Sequence, residues 1–142
     1  MIVSAKTEYA CIAVLELAAR HSRDEPVRIR EIAEAHGVPS RFLVQILLQL
    51  KSAGLVQSIR GAAGGYVLAR EPEEITLLDV MTVVDAQLSQ LPANAARSTL
   101  TTRVLQRTWK GVAAKERELL GAVTFADLAG QLKGAPEGMY YI

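Results

Sequence analysis

Cysteine is nearly missing from this sequence: there is one, Cys11, in 142 residues. A lone thiol cannot close a disulfide within its own chain, which excludes a disulfide-stapled fold and agrees with a reducing compartment. Long apolar runs are missing too. The longest falls well short of the roughly 18 to 20 residues a membrane-crossing helix needs, and Lys6 and Glu8 interrupt the apolar pattern at the N-terminus. Neither a membrane anchor nor a signal peptide is expected, and the expected location is cytoplasmic. Histidine is scarce, and His21 and His36 have no second ligand close by, so no metal site is expected. No Ser/His/Asp set is present. Gly61, Gly64 and Gly65 follow one strand-like run and lead into another, without the Lys-Ser/Thr ending or the helix of a phosphate-binding loop. These absences argue against an enzyme.

Charge of one sign is also not in large excess, since the formal net charge is only +1. The two halves differ, however. Residues 1–70 hold nine Lys or Arg against six acids, whereas residues 71–142 hold seven against nine. The positive excess therefore lies on the N-terminal half, a modest asymmetry of the kind a nucleic-acid-binding surface leaves.

The patterns that are present cluster between Ile29 and Arg70. Ile29–His36 reads as a short helix with Ile32, Ala33 and Ala35 inward, closed by Gly37. Arg41–Ser52 carries Phe42, Leu43, Ile46, Leu47 and Leu50 at the spacing of one buried helical face, and Gly54 stands where a helix stop belongs. Two β-leaning runs follow, Leu55–Ile59 and Tyr66–Ala69, around a loop that holds Arg60 and the three glycines. Helix, tight turn, helix and hairpin is the layout of a winged helix-turn-helix, which places its second helix in the DNA major groove.

The spelling of this region, "GLVQSIRGAAGGYVLAR" after "IREIAEAHGVPSRFLVQILLQLKSA" and the opening "SAKTEYACIAVLELA", resembles the Rrf2 family of bacterial transcription regulators over about the first 85 residues. Its most specific part is the Arg-Gly-x-x-Gly-Gly-Tyr wing, Arg60 to Tyr66. The resemblance implies a fold that is mainly α with a small β wing, in which a winged helix-turn-helix is joined to a long dimerisation helix and the homodimer binds double-stranded operator DNA. Many relatives also carry an iron-sulfur cluster on three cysteines after the DNA-binding half. Between Asp85 and Trp109 this chain has no cysteine and offers Asn94, Ser98, Thr101, Arg103 and Gln106 instead. The three-cysteine cluster site is therefore absent, and no cofactor is expected.

On the presumptive recognition helix the outward residues are Ser40, Arg41, Val44, Gln45, Leu48 and Gln49. Such helices read mainly from their N-terminal turns. Ser40, Arg41, Val44 and Gln45 are thus the expected DNA contacts: Arg suits guanine, Gln suits adenine, and an aliphatic side chain suits a thymine methyl group. Relatives often place a polar or charged residue where Val44 stands. Arg60 is expected to enter a narrowed minor groove, while Gly61, Gly64 and Gly65 free the wing backbone for positive φ and close approach to phosphate. Tyr66 is expected in the wing's own core. On any anonymous helix, solvation of an exposed face would be the better account of Arg41 and Gln45, and the wing reverses that preference.

Elsewhere, Ser4–His21 is expected as a first helix capped by Ser4 or Thr7. Val27–Ile29 is expected as a short extra strand of the wing, Ile75–Val84 as a helix with Thr76 as cap, and 87–94 as a loop. Arg97–Ala122 is long and amphipathic: Leu100, Val104, Leu105, Trp109, Val112, Ala113, Leu119 and Leu120 recur near heptad spacing between charges. It is expected to be the dimer arm, with Leu105, Trp109, Val112 and Leu119 as the dimerisation residues. Residues 124–132 form a last short helix. Residues 1–86 would be the DNA-binding unit, 87–133 the linker, arm and short helix, and 134–142 a tail. Cys11 reads as a small buried hydrophobe, with a redox-sensing thiol as its other reading. A small-molecule or protein effector could act between winged unit and arm, although no residue identifies it. The functional expectation is a sequence-specific regulator on a pseudo-palindromic site, a repressor where the bound dimer occludes a promoter. Its alternative is a winged-helix module for protein contact that lacks specific DNA binding.

Overall fold

The computed structural model describes residues 1–86, 88 and 96–135. Helix α1, Ala5–Ala19, is the central pillar, and Ala10, Ala13, Val14 and Leu17 on its inner side are buried. Ser4 is its cap, accepting from the Thr7 N–H at 3.1 Å, and Thr7 itself is buried. The helix ends two residues before the expected His21. Residues His21–Arg23 tighten into a 3-10 turn closed by Asp24 in the left-handed region at φ 54°.

Helix α2 spans Ile29–His36 and stops at Gly37, whose φ of 66° lets the chain reverse at once into α3, Ser40–Ser52. Both lie on α1. Leu43, Ile46, Leu47 and Leu50 bury one ridge of α3 as the spacing requires. Phe42, expected on that ridge, is 40% exposed. It lies about a quarter turn off the centre of the ridge formed by Leu43, Ile46, Leu47 and Leu50, so it borders the core without entering it.

The wing is a two-stranded antiparallel hairpin, β1 Val56–Ile59 and β2 Gly65–Leu68, with Ser58 opposite Tyr66. The third strand expected at Val27–Ile29 shrinks to a single bridge between Val27 and Tyr66, with N···O distances of 2.8 and 2.9 Å in the two directions. Arg28 already serves as the cap of α2, so no length remains for a strand.

The three wing glycines are not alike, and Gly64 departs from the positive φ expected of it. Gly61 has φ 106° and open space around it, as expected for a loop tip. Gly64 is not in the positive-φ region, and a Cβ there would fall 2.1 Å from the Ile59 carbonyl oxygen. Gly65 combines φ 148° with a Cβ position 2.7 Å from the Val27 backbone. Both glycines let backbone segments pack closely, Gly65 with the positive φ expected of it. Gly65→Ala should therefore cost about 1–3 kcal/mol in denaturant-melting stability, through backbone strain and a displaced Val27 bridge. A change under about 0.5 kcal/mol, the level of an ordinary surface substitution, would refute this.

Pro72–Glu74 forms a second 3-10 turn that leads to α4, Leu77–Val84, with Thr76 as cap: Thr76 and Asp79 exchange hydrogen bonds of 2.9 and 3.1 Å. The expected loop at 87–94 lies almost wholly outside the described residues, as does the tail beyond 135. Helix α5, Leu100–Gly121, is the long arm, capped by Thr99. Helix α6, Phe125–Gly134, is capped by Thr124 and turns back onto α1. Its return is pinned by a bridge between Thr76 and Thr124 and by backbone hydrogen bonds from Phe125 to Ile75 (2.9 Å) and from Leu77 to Val123 (3.0 Å). Phe125 and Ile75 are completely buried, so the last helix completes the core that the first one begins.

Candidate nucleic-acid interface

Because α3 buries the ridge from Leu43 to Leu50, the 100° step per residue places Arg41, Gln45 and Leu48 on the opposite ridge, with Val44 beside them. All are exposed, Val44 at 43% and Leu48 at 53%. Ser40 stands at the first helical position, also exposed. Pro39 is the N-cap and supplies no side-chain hydrogen bond, and the first turn contains no acid. The Phe42 N–H donates to the Pro39 carbonyl at 3.1 Å, and no side chain covers the start of α3, which is the positive end of the helix dipole.

The rest of the motif is braced. Lys51 Nζ donates to Ser58 Oγ at 2.8 Å, tying the end of α3 to β1. Arg20 Nη1 donates to Glu31 Oε2 at 2.6 Å, a bond that holds the Glu31 carboxyl below the usual carboxylate range and raises the Arg20 guanidinium. His36 Nε2 lies 2.7 Å from Glu16 Oε1. Together these contacts fasten α2 to α1 at both ends of α2. In sequence neither histidine has a second ligand close by. Each in fact faces one carboxylate, His21 meeting Glu71 at 3.1 Å, because residues 50 and 20 positions apart are brought together by the fold.

Arg60 and Gly61 sit at the exposed wing tip, on the far side of the hairpin turn from Tyr66, which packs against the core. On α5 the exposed apolar residues include Leu105 (45%), Trp109 (49%), Val112 (62%) and Leu119 (71%). Leu105, Val112 and Leu119 repeat every seven residues. Gln106, Ala113 and Leu120, each one residue later, are less exposed, and Leu120 is buried against the protein's own body. One side of the arm is thus satisfied within the chain, while the neighbouring apolar side faces solvent.

Cys11 is partly buried on α1, and burial pushes its thiol up to about 11. At neutral pH it stays protonated, the form that is a poor nucleophile and a poor ligand. Among the described residues no three His, Cys, Asp or Glu side chains gather as a metal site. No helix among them is long and apolar enough to cross a membrane.

Residues 3–131 match the sequence pattern of the Rrf2 family, described as an iron-dependent transcriptional regulator. The chain belongs to the Rrf2 family. Its relatives include the HTH-type transcriptional regulator CymR of Bacillus subtilis, 34% identical over 143 residues and covering all of both chains. The HTH-type transcriptional regulator IscR of Aliivibrio salmonicida is 31% identical, over 90% of this chain and 77% of that one. Among solved structures, that of CymR, the global cysteine regulator of B. subtilis, superposes with a TM-score of 0.81 at 31% identity, over 92% of this chain and 98% of that one. T. potens IscR superposes with a TM-score of 0.78 at 32% identity, over 100% and 97%.

This Rrf2 protein is therefore a winged helix-turn-helix protein of a family of transcriptional regulators, and neither the family nor these relatives are enzymes. The family description invokes iron, but a single, half-buried cysteine cannot supply the three thiolates of a cluster. The donor set does not fit that group.

Proposed function

We propose that this protein is a homodimeric repressor that binds a pseudo-palindromic operator in the cytoplasm without a cluster of its own. The observation that carries the reading is the exposed first-turn ridge of α3, with Ser40, Arg41, Val44 and Gln45 uncovered beside a helix N-terminus that no side chain caps. Gln45 and Val44 have the chemistry to meet adenine and the thymine methyl group, and Arg60 with Gly61 has the shape and charge to enter the adjacent minor groove. Residues 1–86 would act as the reader and α5 as the arm, with α6 belonging by its packing to the reader. Leu105, Trp109, Val112 and Leu119 would form the seam between protomers, setting two α3 helices about one DNA turn apart. An effector, small molecule or protein, would shift the angle between reader and arm.

The test is selection of bound sequences from random duplexes, followed by titration of the winner against salt. A two-fold symmetric site should emerge, with affinity falling steeply as salt rises. Gln45→Ala should relax preference at one base pair in each half-site by about 1–3 kcal/mol. Arg60→Ala should weaken binding most where the flanking minor groove is narrow. The apolar exposure of Val44 and Leu48 favours a second reading, a protein-docking face. Equal affinity for every duplex would select that reading and reject the operator.

A further inference from the structure

Arg41 starts from the outermost ridge of α3, yet its guanidinium does not project straight outward. It lies over the ring of Phe42, 5.0 Å from the centroid. Phe42 is on the flank of α3 that meets α1: its ring is 6.1 Å from that of Tyr9, tilted by 32°. One turn earlier on α1, exposed Lys6 stands three residues from Tyr9, and residues at that spacing share a helix face. The stack thus draws the charge of Arg41 off the centre of the ridge, toward a rim that already carries a second cation.

Two further features make sense on this basis. A large ring left 40% exposed is costly in water, but its open face is the seat of the guanidinium. A basic residue in the first turn of α3 opposes the helix dipole, and no acid offsets it, an arrangement that suits a nearby anion. Stacked in this way, the guanidinium keeps its in-plane N–H donors free for a bidentate acceptor while its rotamers are restricted in advance. Phosphates border the groove at its rim, whereas base edges lie along its centre.

We infer that Arg41 is a phosphate clamp held in position by Phe42, and that Gln45 and Val44 do the base reading. This departs from the guanine contact that the residue type alone suggests. It rests on the proposed DNA-binding reading, but it needs only that some duplex is bound.

The experiment is binding of selected and scrambled duplexes across a salt series by wild type, Arg41→Ala, Phe42→Leu, Phe42→Tyr and the double variant of Arg41→Ala with Phe42→Leu. Arg41→Ala should weaken both duplexes by the same factor and reduce the slope of log affinity on log salt by about one. Phe42→Leu, which keeps an apolar side chain but loses the ring, should lose about two- to five-fold, the worth of an exposed cation–π contact. Phe42→Tyr should bind as wild type. The double variant should be no weaker than Arg41→Ala alone, since the ring acts only through the guanidinium. A loss from Arg41→Ala confined to one base pair with an unchanged salt slope would overturn the clamp, and multiplying losses in the double variant would overturn the role of Phe42. A wild type that binds all duplexes alike would sink the operator reading while these comparisons still decide the clamp. A wild type that binds no duplex sinks both.

Discussion

Truncation of Phe125 to alanine should remove about 3–5 kcal/mol of stability, enough to leave a domain of ordinary stability largely unfolded near physiological temperature. The ring is fully buried, and it does not belong to a detachable appendage. It opens α6, lies at the junction where Thr76 bridges Thr124, and its own N–H is bonded to the carbonyl of Ile75, another fully buried residue. Removing the ring leaves a cavity in the core where α6 meets α1, and the backbone hydrogen bonds beside it resist collapse. Leu132, on the same helix but 52% exposed, is the control, and Leu132→Ala should change stability by less than about 0.5 kcal/mol. Denaturant melts at fixed protomer concentration measure both. A Phe125→Ala loss below about 1 kcal/mol would mean that α6 is docked only loosely.

The second large effect is expected from Trp109→Glu. The residue is half exposed on α5 and lies in the solvent-facing apolar row with Leu105 and Val112, so a glutamate, itself a good helix former, should leave the protomer folded. On the proposed dimer it would put two like charges into a desolvated seam, each without a partner. Sedimentation should then report a monomer at micromolar concentration. Operator affinity should fall by about 10²- to 10⁴-fold, because binding of the second half-site ceases to be intramolecular. Arg107, two residues earlier, lies on the opposite side of the helix, and Arg107→Glu should leave the dimer intact. A dimeric Trp109→Glu with unchanged operator affinity would place the seam elsewhere.

The two experiments separate the two roles of the C-terminal third. Phe125 reports on what α6 contributes to the reader's core, and Trp109 on what α5 leaves uncovered for another molecule. The distinction follows from burial: α5 spends one narrow side on its own chain and keeps its heptad row in water, whereas α6 turns Phe125 and Ala129 fully inward.

The local sequence of this protein was enough to determine its helices, the caps Ser4 and Thr76, and the hairpin, because helical periodicity, capping hydroxyls and the glycine stops all act over a few residues. It was also enough to mark the outward ridge of α3 and the excess of apolar residues on α5. Tertiary packing alone decided the rest. Phe42 has the composition and spacing of a core residue, and only the approach of α1 through Tyr9 leaves its other face open for Arg41. Gly64 and Gly65 look like freely turning loop residues until the Ile59 carbonyl and the Val27 backbone close over them. The return of α6 to α1 joins segments about a hundred residues apart. Contacts between distant segments depend on how the elements stack, and no short window of sequence carries that information.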